Sequence, residues 1–252
     1  PKTADGRVLF AVPWLGKVIL GTTDTPRDDL PREPTPFADE IAFILTESAR
    51  YLQRAPQRSD VRSVWVGLRP LVKSGHDEGS DTKSISREHT VAISKSGLVT
   101  VTGGKWTTYR SMADDVLDKC QAAKLLPRLP PSHTEQHRLV GAPHTGIPTT
   151  ALWLPPGIHQ YGAEASLVQQ LPGHDTLLAP HLTEAMVRFA ARYEYARTVE
   201  DVLARRSRLL FLDARAAAAA AERVAAVLSD ELGQRIATDD FMALARQYSE
   251  LP

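Results

Sequence analysis

The stretch "GLVTVTGGKWTTYRSMADDVLDKC", residues 97–120, decides how the chain is read. Val99 and Val101 alternate with Thr100 and Thr102, the two-residue period of a strand. From Tyr109 onward, Met112, Ala113, Val116, Leu117 and Cys120 fall on one helical face. Between them stands Gly103-Gly104-Lys105. Glycines let a backbone approach a ligand closely, and a helix start offers unpaired N–H groups and partial positive charge. Lys105 adds a full charge, so the junction suits an anion or an electron-rich ring edge. The plain alternative is a strand-to-helix turn with a solvated lysine.

Two nucleotide motifs are excluded directly. A Walker loop needs glycine five residues before Gly104 and Ser or Thr after the lysine; Val99 and Trp106 stand there. No G-x-G-x-x-G occurs in the chain, so a complete dinucleotide-binding βαβ unit is absent from it.

Outward from this stretch, strands are expected over 7–12 and 17–21 around a Pro13-Trp14-Leu15-Gly16 turn, and near 63–68, 89–94 and 98–102. A helix is expected over 37–52. The second half reads as mostly helical: 183–195, 198–211, 213–232 and 239–249. Thr198 and Asp201 fit a capping box, and Gly233 fits a helix stop. The alanine run 216–221 needs no functional account, because alanine is the best helix former.

All eight lysines lie at or before Lys124, beyond which positive charge is carried by arginine; a Pro-rich connector, 127–156, follows. The change marks a boundary near residue 126, giving domains 1–126 and 127–252. Formal net charge is +0 with no basic run, which argues against a nucleic-acid partner. The one cysteine, Cys120, excludes an internal disulfide and reads as core filler. There is no signal-peptide pattern and no run of about 18 apolar residues, so no membrane span is expected. The chain opens on Pro-Lys-Thr-Ala-Asp-Gly without an initiator Met, and we expect a piece of a longer protein. His133 and His137 lack the glutamate of H-E-x-x-H, and no metal is assigned. The arginines of Arg205-Arg206-Ser207-Arg208 read as a solvated or salt-bridged face.

Three more stretches join the first: "GTTDTP" (21–26), "WVGLRPLV" (65–72) and "SISREHTVAIS" (84–94). With "RYEYARTVEDVLARRSRLLFLD" (192–213), they resemble the C-terminal half of the FAD-dependent glycerol-3-phosphate dehydrogenases, within the D-amino-acid-oxidase-like flavoenzymes. The resemblance implies an α+β fold: an antiparallel-sheet remainder of the substrate domain with one FAD-facing helix, then an all-α C-terminal domain. It implies FAD contacts by Gly103, Gly104, Lys105, Trp106 and Thr107, and substrate or phosphate contacts by Arg69, Arg87 and Lys105, with Arg69 also in the catalytic role. Arginine suits a phosphate ester because its planar fork donates two parallel charge-assisted bonds.

From residue chemistry alone, Arg69 reads equally as a structural ion pair or a ligand contact and Arg87 as a solvated residue; His89 could act in proton transfer, but a lone histidine at a strand start is more often structural, and it is left unassigned. The implied reaction is oxidation of sn-glycerol 3-phosphate to dihydroxyacetone phosphate, with quinone or oxygen as acceptor. The chain alone, without the dinucleotide fingerprint, is expected to be inactive. A cytoplasmic enzyme, peripheral on the inner face of the membrane and homo-oligomeric, goes with this reading. Its rivals are an amine or amino-acid oxidase of the same superfamily and a non-catalytic helical interaction module.

Overall fold

A computed structural model describes residues 3, 6, 8–68, 88–142 and 150–252. The chain forms two compact units: Pro1–Gly67 with Val140–Pro252, and Leu68–Leu139. The first unit is thus made from both ends of the chain.

In the first unit, β1 (Phe10–Trp14) pairs antiparallel with β2 (Lys17–Gly21), Val12 opposite Ile19. Leu15 and Gly16 make the turn alone, both left-handed at φ 48° and 78°, the pattern of a tight two-residue hairpin. Pro13 and Trp14, expected in the turn, extend the ladder instead. The turn's N–H groups, from Leu15 and Gly16, donate to the carbonyls of Leu152 and Trp153 in the Pro-rich connector. Helix α1 (Ala38–Ala49) follows; Glu40 in its first turn accepts from the Phe37 N–H and from the hydroxyls of Thr23 and Thr25. Those two threonines of the GTTDTP stretch thus anchor a loop to a helix.

Residues 63–68 form no strand. Their alternating Val64, Val66 and Leu68 mimic one, but the backbone partners are helix ends. Val64 N–H donates to Tyr248 O at 2.9 Å, the Ser63 hydroxyl to Leu210 O at 2.7 Å, and Ala214 N–H to Arg62 O at 3.2 Å. These bonds tie the segment to helix ends where a strand would be tied to a ladder.

The second unit holds β3 (Thr90–Ile93) and β4 (Val99–Thr102), antiparallel with Thr90 opposite Thr102, and α2 (Tyr109–Ala122). Cys120 is buried on the inner face of α2, as its periodicity predicts.

The main core lies in the helical part of the first unit: α3 (Ala165–Gln169), a short hairpin of β5 (Leu177–Ala179) and β6 (Leu182–Thr183), α4 (Glu184–Tyr193), α5 (Leu209–Leu212), α6 (Ala214–Leu232) and α7 (Asp239–Ser249). The small hairpin was not foreseen in a part read as wholly helical. Ala217, Ala220, Ala221, Val224 and Leu228 line one buried face of α6, which packs on both α4 and α7. The alanines thus serve helix propensity and close approach together. Asp213 caps α6 by accepting from Ala216 N–H at 3.0 Å, and Gly233 ends it at φ 64°.

The helix expected over 198–211 is broken. Thr198 and Asp201 form the reciprocal capping box, at 3.1 and 2.9 Å. One π-helical turn (Asp201–Arg206) follows, in which Ser207 N–H reaches back to Val202 O at 2.8 Å, and Arg208 turns left-handed at φ 59° before α5. Arg205 pairs with Glu200 and Arg206 with Glu194, the salt-bridged face expected of that run.

Candidate functional site

The Gly103-Gly104-Lys105 turn leaves the end of β4 with both glycines left-handed, at φ 76° and 80°. Their need for glycine is set by their own unit. A Cβ on Gly103 would sit 2.6 Å from the Glu88 carbonyl oxygen; one on Gly104 would sit 2.6 Å from Met112 Sδ and 3.0 Å from His89 Cβ. The turn therefore rests on the start of β3 and the first turn of α2.

Lys105 returns to extended backbone, at φ −131° and ψ 147°, and α2 does not begin at once. A 3₁₀ turn (Trp106–Thr108) intervenes, in which the Lys105 carbonyl accepts from the N–H and the hydroxyl of Thr108, each at 3.0 Å. The N–H groups of Trp106 and Thr107 precede the first bond of this turn and have no partner among the described residues, which leaves them as donors there. Trp106 is 88% exposed and stacks on Tyr109 at 5.8 Å between ring centroids. Among the described residues the Lys105 ammonium has no ion pair. Among the described residues, the open side thus presents unbonded N–H donors, one cation and an aromatic face. That donor set fits an electron-rich, anionic ring system such as a flavin.

Sequence reasoning left His89 unassigned and passed over Asp115. Asp115 Oδ2 accepts from His89 Nε2 at 2.9 Å and from Lys119 Nζ at 2.8 Å. The bonds from Lys119 and His89 hold the Asp115 carboxyl below the usual carboxylate range, so the shared proton belongs to Nε2. Only the Asp115–Lys119 spacing was readable locally, as an i,i+4 pair; the His89 contact spans 26 residues. Arg69 and Arg87 lie outside the described residues. His133 and His137 are exposed, and no group of three or more metal-ligating side chains occurs among the described residues.

Residues 1–110 match the family model described as FAD dependent oxidoreductase, and residues 132–238 match the C-terminal domain of alpha-glycerophosphate oxidase. The chain belongs to the FAD-dependent oxidoreductase family. The motif resemblance and the family models therefore agree. Among its relatives, the mitochondrial glycerol-3-phosphate dehydrogenase of Schizosaccharomyces pombe is 36% identical over 98% of this chain and 46% of its own length. The Arabidopsis thaliana protein named glycerol-3-phosphate dehydrogenase SDP6, mitochondrial, is 38% identical over 92% of this chain and 41% of its own length. The chain thus spans less than half of these relatives. The solved structure of the Bacillus halodurans glycerol-3-phosphate dehydrogenase complexed with FAD has the same fold, with a TM-score of 0.72 at 21% identity, over 99% of this chain and 53% of that one. The α+β reading of the fold holds.

Proposed function

We propose that this family member is the substrate-side remainder, 1–126, and the C-terminal helical domain, 127–252, of a flavoenzyme that oxidises sn-glycerol 3-phosphate to dihydroxyacetone phosphate. The observation that carries the reading is the donor set of the turn at 103–107, N–H groups and a Lys105 ammonium that have no partner among the described residues, in a chain whose relatives are named glycerol-3-phosphate dehydrogenase. FAD, when bound, supplies the two-electron acceptor. Gly103, Gly104, Trp106 and Thr107 would hold it, and their N–H groups with the Lys105 ammonium would stabilise the negative charge that reduction brings. Arg69, Arg87 and Lys105 would bind the phosphate dianion, with Arg69 also beside the reacting alcohol. Oxidation of that secondary alcohol removes a hydride from carbon 2 and a proton from the hydroxyl, which balances the two electrons passed on.

Quinone is the proposed final acceptor, reached from the membrane surface by an enzyme on the cytoplasmic side, as a homo-oligomer. No helix among the described residues is long and apolar enough to cross a membrane. The 252-residue chain, without a G-x-G-x-x-G, is proposed to retain no FAD and to be inactive alone.

The test uses full-length enzyme. Arg87→Ala should weaken use of glycerol 3-phosphate by about 2–5 kcal/mol, the cost of leaving one charge of a desolvated pair alone. Activity on glycerol, which lacks the phosphate, should hardly change. An equal loss on both substrates would remove Arg87 from phosphate binding.

A further inference from the structure

We propose that His89 and Asp115 are positioning residues for the Gly103-Gly104-Lys105 turn. Their hydrogen bond pins the residue just before β3 to the second turn of α2, and so fixes where the Lys105 ammonium and the neighbouring N–H donors stand. The inference rests on the flavin and substrate reading of that turn for its functional meaning, but not for its geometry.

The turn has three supports, and this pair joins two of them. On one side β4 is held by its ladder to β3. Beneath, the backbone at Glu88 and His89 lies so close to Gly103 that a Cβ there would meet Glu88 O at 2.6 Å and His89 Cα at 3.5 Å. On the far side, Met112 of α2 fills the space where a Gly104 side chain would stand. Nothing in the ladder fixes the distance between the start of β3 and α2. The His89 Nε2–Asp115 Oδ2 bond, at 2.9 Å, does so directly, with the two side chains 26% and 35% exposed. Lys119 bonds the same carboxylate oxygen at 2.8 Å and restrains the acceptor along the helix. The pair lies outside the principal apolar core, which is in the other unit. Its loss should therefore act on the turn rather than on global stability.

Amide exchange at Thr108, whose N–H is bonded to Lys105 O, reads the turn directly in the 252-residue chain. Asp115→Ala should accelerate it about fivefold, the loss expected for one net hydrogen bond, while amides of α6 keep their rates. Asp115→Asn, whose side-chain oxygen still accepts from Nε2, should restore the rate, and Lys119→Ala should leave it near wild type. Unchanged exchange in Asp115→Ala overturns the pin. So does acceleration in Lys119→Ala equal to that in Asp115→Ala, which would assign the effect to the helix-surface pair. A parallel measurement on full-length enzyme tests the reading beneath: Asp115→Ala should raise KM for glycerol 3-phosphate about fivefold by the same bond loss, with kcat nearly kept and Asp115→Asn restoring it. Faster exchange with unchanged kinetics would leave the pin standing and count against the ligand reading of the turn.

Discussion

At the residue scale, Lys105 can serve a flavin or a phosphate, and the two roles separate by measurement. A lysine facing the flavin stabilises its reduced, anionic form more than the oxidised form. Lys105→Met in full-length enzyme would then lower the flavin potential without substrate, by roughly 30 mV for each 1.4 kcal/mol lost from a two-electron couple. A lysine facing only the phosphate would leave the potential alone and raise the substrate dissociation constant. Wild-type values for both would return Lys105 to a solvated turn. Gly103 beside it allows a second test. Its left-handed φ of 76° and the Glu88 carbonyl 2.6 Å from any added Cβ leave no tolerant direction, because the obstacle is backbone. Gly103→Ala should destabilise by about 1–3 kcal/mol, seen as a lower denaturant midpoint with an unchanged slope. A midpoint equal to wild type would mean that the β3 start yields freely.

At the element scale, α4 and α6 are tied by charge as well as by packing. Glu231 on α6 is 7% exposed and accepts from Arg192, and also from Arg188, which reaches Glu184 and Asp230 as well. The bonds from Arg192 and Arg188 hold the Glu231 carboxyl below its ordinary range. A carboxyl depressed in the folded state contributes stability above its unfolded pKa, about 4.3, and loses it as pH falls through the folded value. Glu231→Ala should therefore cost about 1–3 kcal/mol at neutral pH, less than a fully buried pair because its arginine partners reach solvent. The gap to wild type should close below about pH 4; a gap that persisted in acid would assign the loss to packing. Elements with local causes were legible in the sequence: the β1–β2 hairpin and the strands β3 and β4 from alternation, α2 from its apolar stripe, the Thr198–Asp201 box and the Gly233 stop from capping chemistry. Residues 63–68 were not, because alternation reports a two-sided environment without saying whether strands or helix ends provide it. Nor was the break at Ser207 and Arg208, where a π turn consumes an extra residue within an unbroken apolar pattern. The His89–Asp115 contact lay beyond any local signal, since its partners are brought together by a hairpin and a turn.

At the scale of the whole molecule, the first unit is closed by contacts between remote parts of the chain. Trp65 meets Phe211 edge-to-face at 5.2 Å, and Phe211 meets Tyr248 at 5.7 Å. Burial pushes the Tyr248 hydroxyl up to about 12, so it stays protonated and donates to Glu33 at 3.1 Å. Trp65→Ala and Phe211→Ala should each destabilise, and the double variant should lose less than their sum by about 0.5–1.5 kcal/mol, the coupling of one edge-to-face pair. Strict additivity would show that the rings are neighbours without mutual stabilisation.

The Tyr248–Glu33 bond joins residues 215 apart in sequence. On a ribosome adding about 5–20 residues per second, Glu33 waits on the order of 10–40 s for its partner to be made, at those rates. Through that interval the 33–34 loop and the Val64 N–H, both bound in the finished fold by α7, have only water or a chaperone to meet them. Helix α7 is thus made well after the segments at Glu33, Pro34 and Val64 that it holds in the finished fold, so those segments take their final place only once it has emerged.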